Sequence, residues 1–372
     1  MNGLVFQMTP RWRYRALDFL RSCVSSPLNI TLTAAVIALA LSILPTLVHW
    51  LLLDAVWSGT SAKDCVGHDG ACWIFLRAHA GQLLYGSYPP GQRWRIVVAA
   101  IVGIATAFVA GTSTRRLGFL SIGSMLLVSA IVIGVLTAGG IAGLPFVATS
   151  LWGGALLTVV IATWTIVTAL PLGLLLALAR QSELPIISAL AVAFIDTLRG
   201  LPLVGLLFLV IVMFPLFVPP GFQTDKLVRA LLAFTLFNAA NFAEVFRGGL
   251  QAVHPSQIDG GYSLGLPKWR VTALIVVPQV ISVSIPSLIN ICISIVKETT
   301  IVLILGLFDL VGVLQAGIAD PDWLMSPNVR TTAYVFAGLV FWPICFLLSR
   351  YGRAIERRQP MTSGVSSAGL IN

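Results

Sequence analysis

Eight long apolar runs decide what this chain can become, with approximate limits 28–53, 95–112, 117–138, 154–179, 186–218, 227–247, 273–308 and 331–349. Crossing the hydrocarbon layer as a helix takes about 20 apolar residues, because in lipid only bonds within the segment satisfy the backbone. The runs are continuous rather than alternating, which argues against barrel strands. Composition agrees: 57% of the 372 residues are hydrophobic and only 10% are charged, far from the usage of a water-soluble domain of this length. The expected fold is an all-α integral membrane protein of about eight transmembrane helices. Two runs are too long for a simple crossing. The fifth holds Pro202 and Pro215 and the seventh Pro278 and Pro286, so each is expected to bend or to begin with an interfacial piece.

Charge sets the expected orientation. With the N-terminus inside, the cytoplasmic side collects Arg11, Arg13, Arg15, Arg21, Arg115, Arg116, Arg180, Arg247, Lys268, Arg270, Arg350, Arg353, Arg357 and Arg358. The outer side holds Lys63, Arg77, Arg93, Arg95, Lys226, Arg229 and Arg330. Fourteen against seven fits the positive-inside rule with an even number of spans. The net charge of +9 is thus a signal of topology and inner-leaflet anchoring rather than of nucleic-acid binding. The first apolar run follows the basic "RWRYR" and is too long for a signal-peptide core, so it is expected to stay as the first helix.

The chain is expected to divide near residue 150. A cytoplasmic tail (1–27) precedes a three-span part (28–150) with an external loop (54–93), whose aromatics suggest interface anchoring. Five spans follow in 151–350, then a tail over 351–372. Within the external loop, Cys65 and Cys72 can pair if it faces an oxidising periplasm; the alternative is two free thiols. Cys23, Cys292 and Cys345 read as small packing residues.

Nearly all the intramembrane charge lies in the second part, and ionisable groups at that depth are functional candidates by default. Asp196 and Arg199 are three apart on one helix face, where an ion pair fixing helix packing competes with a functional role. Lys297 and Glu298 point about 100° apart around a helix, so they cannot both face lipid cheaply, and Thr299 and Thr300 follow them. A role in a translocation path is the reading preferred for this group. The chain has no GxxxxGK[ST] for nucleotide and no His, Cys and carboxylate cluster with metal spacing, and no GxSxG hydrolase elbow is expected, so a membrane enzyme is disfavoured.

Between the sixth and seventh runs lies a polar connection. A transmembrane helix is expected to end near Arg247, broken by Gly248 and Gly249, and Pro255 then opens a short new helix that stops at Gly265. Lys268 and Arg270 mark the cytoplasmic surface before the chain re-enters the membrane. A short helix held there is a poor anchor but a good handle for a cytoplasmic partner; an ordinary re-entry loop is the alternative.

The spacing Asp259, Gly260, Gly261, three residues, Gly265, nine residues, Ile275, one residue, Val277, Pro278 resembles the EAA loop of bacterial ABC importer permeases, E-A-A-x3-G-x9-I-x-L-P. "AEVFRGGLQAV", "DTLRGLPLV" and "PSLINICISIVKETTIV" resemble three further motifs of the polar amino-acid permeases, in the same order over 151–350. The eight-span layout with a large first external loop is most similar to the M-type permease of general L-amino-acid uptake systems. Gly260 and Gly261 depart from the alanines of the motif, Leu201 stands where the family commonly has Thr, and Glu298 where it often has Asp.

The resemblance implies a C-terminal five-helix type I ABC importer permease core with a coupling loop over 248–272, in the bacterial inner membrane. The chain itself would be no enzyme and carry no cofactor. ATP and magnesium would be bound by separate ABC ATPase subunits, a second homologous permease would complete the path as a heterodimer, and a periplasmic binding protein would deliver an L-amino acid. Asp259, Gly260, Gly261, Ser263 and Gly265 would form the ATPase-coupling helix. Along the substrate path of Asp196, Arg199, Lys297, Glu298, Thr299 and Thr300, Glu298 would receive the ammonium and Arg199 the carboxylate. An ion-coupled secondary transporter or a structural membrane protein would carry similar intramembrane charges without needing that cytoplasmic helix.

Overall fold

The computed structural model describes residues 21–113, 119–141, 143–219, 224–324 and 326–356. Arg11, Arg13, Arg15, Arg115, Arg116, Arg357 and Arg358, with most of both expected tails, lie outside them. Among the described residues the chain is helical, and its β contacts are isolated bridges such as Gly86 with Trp152.

In order the helices are α1 (Pro27–Val48), α2 (Trp73–Tyr85), α3 (Trp94–Ser113), α4 (Phe119–Ala138), α5 (Gly154–Arg180), α6 (Pro185–Gly200), α7 (Leu203–Phe208), α8 (Lys226–Ala252), α9 (Pro255–Ser263), α10 (Lys268–Val271), α11 (Val277–Glu298), α12 (Leu310–Ile318) and α13 (Val329–Glu356). Four helical runs are long and apolar enough to cross a membrane alone: Pro27–Leu53, Gly154–Arg180, Lys268–Leu305 and Val329–Glu356. The pair Pro185–Gly200 and Leu203–Leu216 passes only as a broken span, bent by 103°. Pro202 causes this break, since it lacks an N–H and forces Leu201 into an extended conformation (φ −92°, ψ 140°). With α3, α4 and α8, each of the eight apolar runs coincides with helix.

The described residues fall into two compact units, one running to Arg77 together with Pro321–Thr332, the other Ala78–Asp320 together with Ala333 onwards. The expected division near residue 150 falls inside the second, between α4 and α5.

In the first unit Cys65 and Cys72 are joined by a disulfide and both are buried. Their loop is tied to 321–332: the Cys72 amide donates to Thr332 Oγ1 (2.9 Å), Ser326 Oγ to the Ala62 carbonyl (2.9 Å), and Phe75 meets Trp323 edge to face. The expected external loop is therefore folded, and α2 begins within it.

In the second unit α5 and α8 form the core pair through small residues, which let helix backbones approach closely. A Cβ on Gly173 of α5 would lie 2.5 Å from the Cβ of Phe242 and 2.9 Å from the Ala239 carbonyl. Contrary to the expectation, Gly248 and Gly249 do not break α8, which runs on to Ala252. Gly249 serves packing instead, since a Cβ there would lie 2.4 Å from Ser284 Oγ on α11. Arg95 is likewise no surface charge. It is fully buried, donating to the carbonyls of Leu136 (2.6 Å) and Pro145 (2.9 Å), where a cation complements the C-terminal end of α4.

The long seventh run is one helical stretch, Lys268–Leu305, whose hydrogen-bond pattern changes along its length. α10 continues through a π segment at Thr272–Val276 into α11, ahead of Pro278, and closes in a 3₁₀ turn over Thr299–Leu305. Gly306, left-handed at φ 70°, ends it.

Candidate functional site

Helical periodicity gathers the polar residues of α8 and α11. Asn238, Asn241, Glu244 and Val245 recur at spacings of three and four along α8, and Ile291, Ser294 and Glu298 do so along α11. With Arg199 near the end of α6 they line a cavity of about 290 Å³. One oxygen of Glu298, Oε2, is buried there without a hydrogen-bond partner, while Asn238 lies within bonding reach of the carboxyl group. The cavity thus holds one cationic side chain, two carboxylates and three neutral polar groups, with Val245 and Ile291 as its apolar lining.

An ionic node lies at one end of the cavity. Glu244 Oε1 accepts from both Nε (3.0 Å) and Nη2 (2.5 Å) of Arg247, its neighbour three residues on. Its other oxygen, Oε2, faces Arg199 Nη1 at 3.2 Å and Arg180 Nη1 at 3.7 Å. Arg180, in the last turn of α5, also stands 3.6 Å from Asp196 on α6. The ion pair of Asp196 with Arg199, one of the two alternatives, does not form, because Arg199 turns to α8 and Asp196 to α5.

Of the six path candidates, Arg199 and Glu298 line the cavity. Lys297, one residue and a third of a helical turn away, points outward and is exposed. The Thr299 and Thr300 hydroxyls turn back onto their own helix, donating to the carbonyls of Val296 (3.0 Å) and Lys297 (2.9 Å). Sequence reasoning missed Asn238, Asn241, Glu244 and Ser294; the signal was present as polar residues at helical spacing in two otherwise apolar runs.

The coupling-helix candidates form a separate feature. α9 opens at Pro255 behind His254, whose ring accepts from the Ser256 amide (3.3 Å). It closes in a Schellman motif: the Leu266 amide donates to Gly261 (3.3 Å) and the Gly265 amide to Tyr262 (2.9 Å), with Gly265 left-handed at φ 74°. Asp259, Gly260, Tyr262 and Ser263 are exposed, whereas Gly261 is buried against Val271 and Ile275. Behind the helix, Lys268 donates to Glu183 of the α5–α6 connection, and this partner holds the Glu183 carboxyl below the usual carboxylate range.

One elbow-like string, Gly-Tyr-Ser-Leu-Gly over Gly261–Gly265, is present after all, correcting the expectation of none. It is no nucleophile elbow: Ser263 ends a helix, without a preceding strand, and its Oγ donates to the Asp259 carbonyl (2.9 Å). Among the described residues no group of three His, Cys, Asp or Glu stands close enough to hold a metal ion.

Residues 169–359 match the family of binding-protein-dependent transport system inner membrane components. The chain is similar to the inner membrane amino-acid ABC transporter permease protein YhdY of Escherichia coli (strain K12), 41% identical over 92% of this chain and 93% of that one. It is also similar to the glutamate/glutamine/aspartate/asparagine transport system permease protein BztC of Rhodobacter capsulatus, 31% identical over 90% and 91%. A crystal structure of an amino acid ABC transporter with histidines is similar at 26% identity and a TM-score of 0.48, covering 55% of this chain and 92% of that one.

Proposed function

The chain belongs to the family of binding-protein-dependent transport system inner membrane components, and from that membership we propose that it carries L-amino acids into the cell as one permease subunit of an ATP-driven importer. Its family makes it a multi-pass transport subunit of the inner membrane and leaves the ion-coupled alternative without support. ATP hydrolysis then belongs to ABC ATPase chains, delivery to a periplasmic amino-acid-binding protein, and the second half of the path to a homologous permease.

The observation that carries the substrate assignment is the meeting of Arg199 and Glu298 in one cavity from two different helices. A backbone carboxylate fits the planar fork of Arg199, which can bind both its oxygens. The ammonium fits Glu298, whose buried oxygen lacks a donor. Asn238, Asn241 and Ser294 offer neutral polar contacts to the side chain.

Coupling is assigned to α9. Its ends are capped, and Asp259, Tyr262, Ser263 and Leu264 are exposed on its outer side for an ATPase groove. Motion of that rod is passed to α8 and α10, which it joins directly.

The test is uptake of radiolabelled L-amino acids by proteoliposomes holding the complex purified through this chain. ATP-dependent accumulation that falls with Glu298→Gln is expected. Accumulation independent of ATP, or no accumulation of any amino acid, would overturn the assignment.

A further inference from the structure

We propose that Arg180 is a positioning residue that relays occupancy of the cavity to the coupling loop by exchanging carboxylate partners between α6 and α8. The inference rests on the substrate reading above and adds the route by which an occupied cavity is felt on the cytoplasmic side.

Arg180 Nη1 is buried and makes no hydrogen bond. It stands 3.6 Å from Asp196 Oδ1 and 3.7 Å from Glu244 Oε2, attracted to both and beyond bonding distance of each. A guanidinium held between two carboxylates on different helices can close on either one, and such a choice is the two-state element that coupling between distant sites requires.

The partners of Glu244 decide which position it takes. Arg247 occupies Oε1 through two donors, so only Oε2 can change hands, and Arg199 holds it at 3.2 Å. A substrate carboxylate that takes the Arg199 fork removes that donor. Oε2 then draws Arg180 from Asp196, tightening α5 against α8 and freeing α6 from α5.

Arg180 is the last residue of α5, and three positions later Glu183 binds Lys268 at the start of α10, just behind the coupling helix. A shift of the end of α5 therefore pulls on the base of the coupling loop through one ion pair. The line runs from Arg199 through Glu244, Arg180, Glu183 and Lys268 to α9.

The experiment measures ATP hydrolysis by the purified complex in lipid, with and without its binding protein loaded from a mixture of the proteinogenic L-amino acids. Asp196→Asn removes the competing partner and leaves Arg180 on Glu244. The expected result is hydrolysis raised several-fold without amino acid and a stimulation ratio within about twofold of one. A ratio equal to that of the unaltered complex would overturn the relay. Independently of that variant, Glu183→Lys should lower the stimulation ratio and Glu183→Lys with Lys268→Glu should restore it. Failure of the exchanged pair to restore what the single change lost, or no loss in the single change, would also overturn it. If the unaltered complex shows no stimulation by amino acid, the substrate reading fails, and the relay with it.

Discussion

At Glu298 a buried carboxylate oxygen without a donor stands across one cavity from an arginine fork, and single substitutions there have distinguishable consequences. Glu298→Gln keeps shape and removes charge. Losing a charged hydrogen bond costs about 1.5–3 kcal/mol, so the amino-acid concentration for half-maximal uptake should rise roughly ten- to a hundredfold. Uptake kinetics unchanged from the unaltered protein would make this carboxylate structural. Arg199→Lys keeps charge and removes the fork, and should weaken uptake by roughly tenfold, because a single ammonium cannot bind both carboxylate oxygens. Glu298 and Arg199 were legible as charges within apolar runs. Asn238, Asn241 and Ser294 were not, because Asn and Ser carry no charge penalty and draw notice only once two helices face each other, and the charged Glu244 was passed over within a run read for its family motif. The partner of Arg199 was not legible for a related reason: spacing along one helix offered Asp196 as one alternative, and the tertiary fold supplied Glu244.

Among the elements, α9 is the one whose two glycines take opposite substitutions. Gly260 meets open space, so Gly260→Ala should stabilise the helix by about 1 kcal/mol. A Cβ on Gly261 would lie 2.8 Å from Ile275 Cδ1 and 3.0 Å from Val271 Cγ2, so Gly261→Ala should loosen the base of the loop. Hydrogen exchange over 255–271 separates the two: slower in the first variant, faster in the second. Equal exchange in both would contradict the packing described. Gly265→Val forces a β-branched residue to φ 74° and should uncouple hydrolysis from uptake while leaving the protein in the membrane; coupled uptake in that variant would remove α9 from the mechanism. The start and stop of α9 were legible because Pro and Gly punctuate the chain locally. The continuation of α8 through Gly248 and Gly249 was not, because whether a glycine breaks a helix or packs it depends on a neighbour, here Ser284, that sequence spacing does not reveal.

For the whole molecule, the eight apolar runs fixed the helical layout before any contact was known, since lipid leaves the backbone few alternatives. The folded loop over 54–93 was less legible. Its shape depends on the Cys65–Cys72 bond and on hydrogen bonds from residues some 260 positions away, such as Asn328 to His68. Asp64 adds a local device, its carboxyl held below the usual range by the amides of Ser61 and Thr60. That contribution is present at neutral pH and lost as pH falls through the lowered value. Proteolysis of the loop should therefore speed up in acid for the unaltered protein, and already at neutral pH for Asp64→Ala; equal cleavage of the two at neutral pH would assign the loop's order to the disulfide and the hydrogen bonds from 326–332. The account as a whole rests on an outside ATPase pushing on α9. A photo-crosslinking side chain at exposed Ser263, activated in native membranes, tests this most directly. The account predicts a product joining this chain to an ATP-hydrolysing subunit, and a product containing only lipid would contradict it.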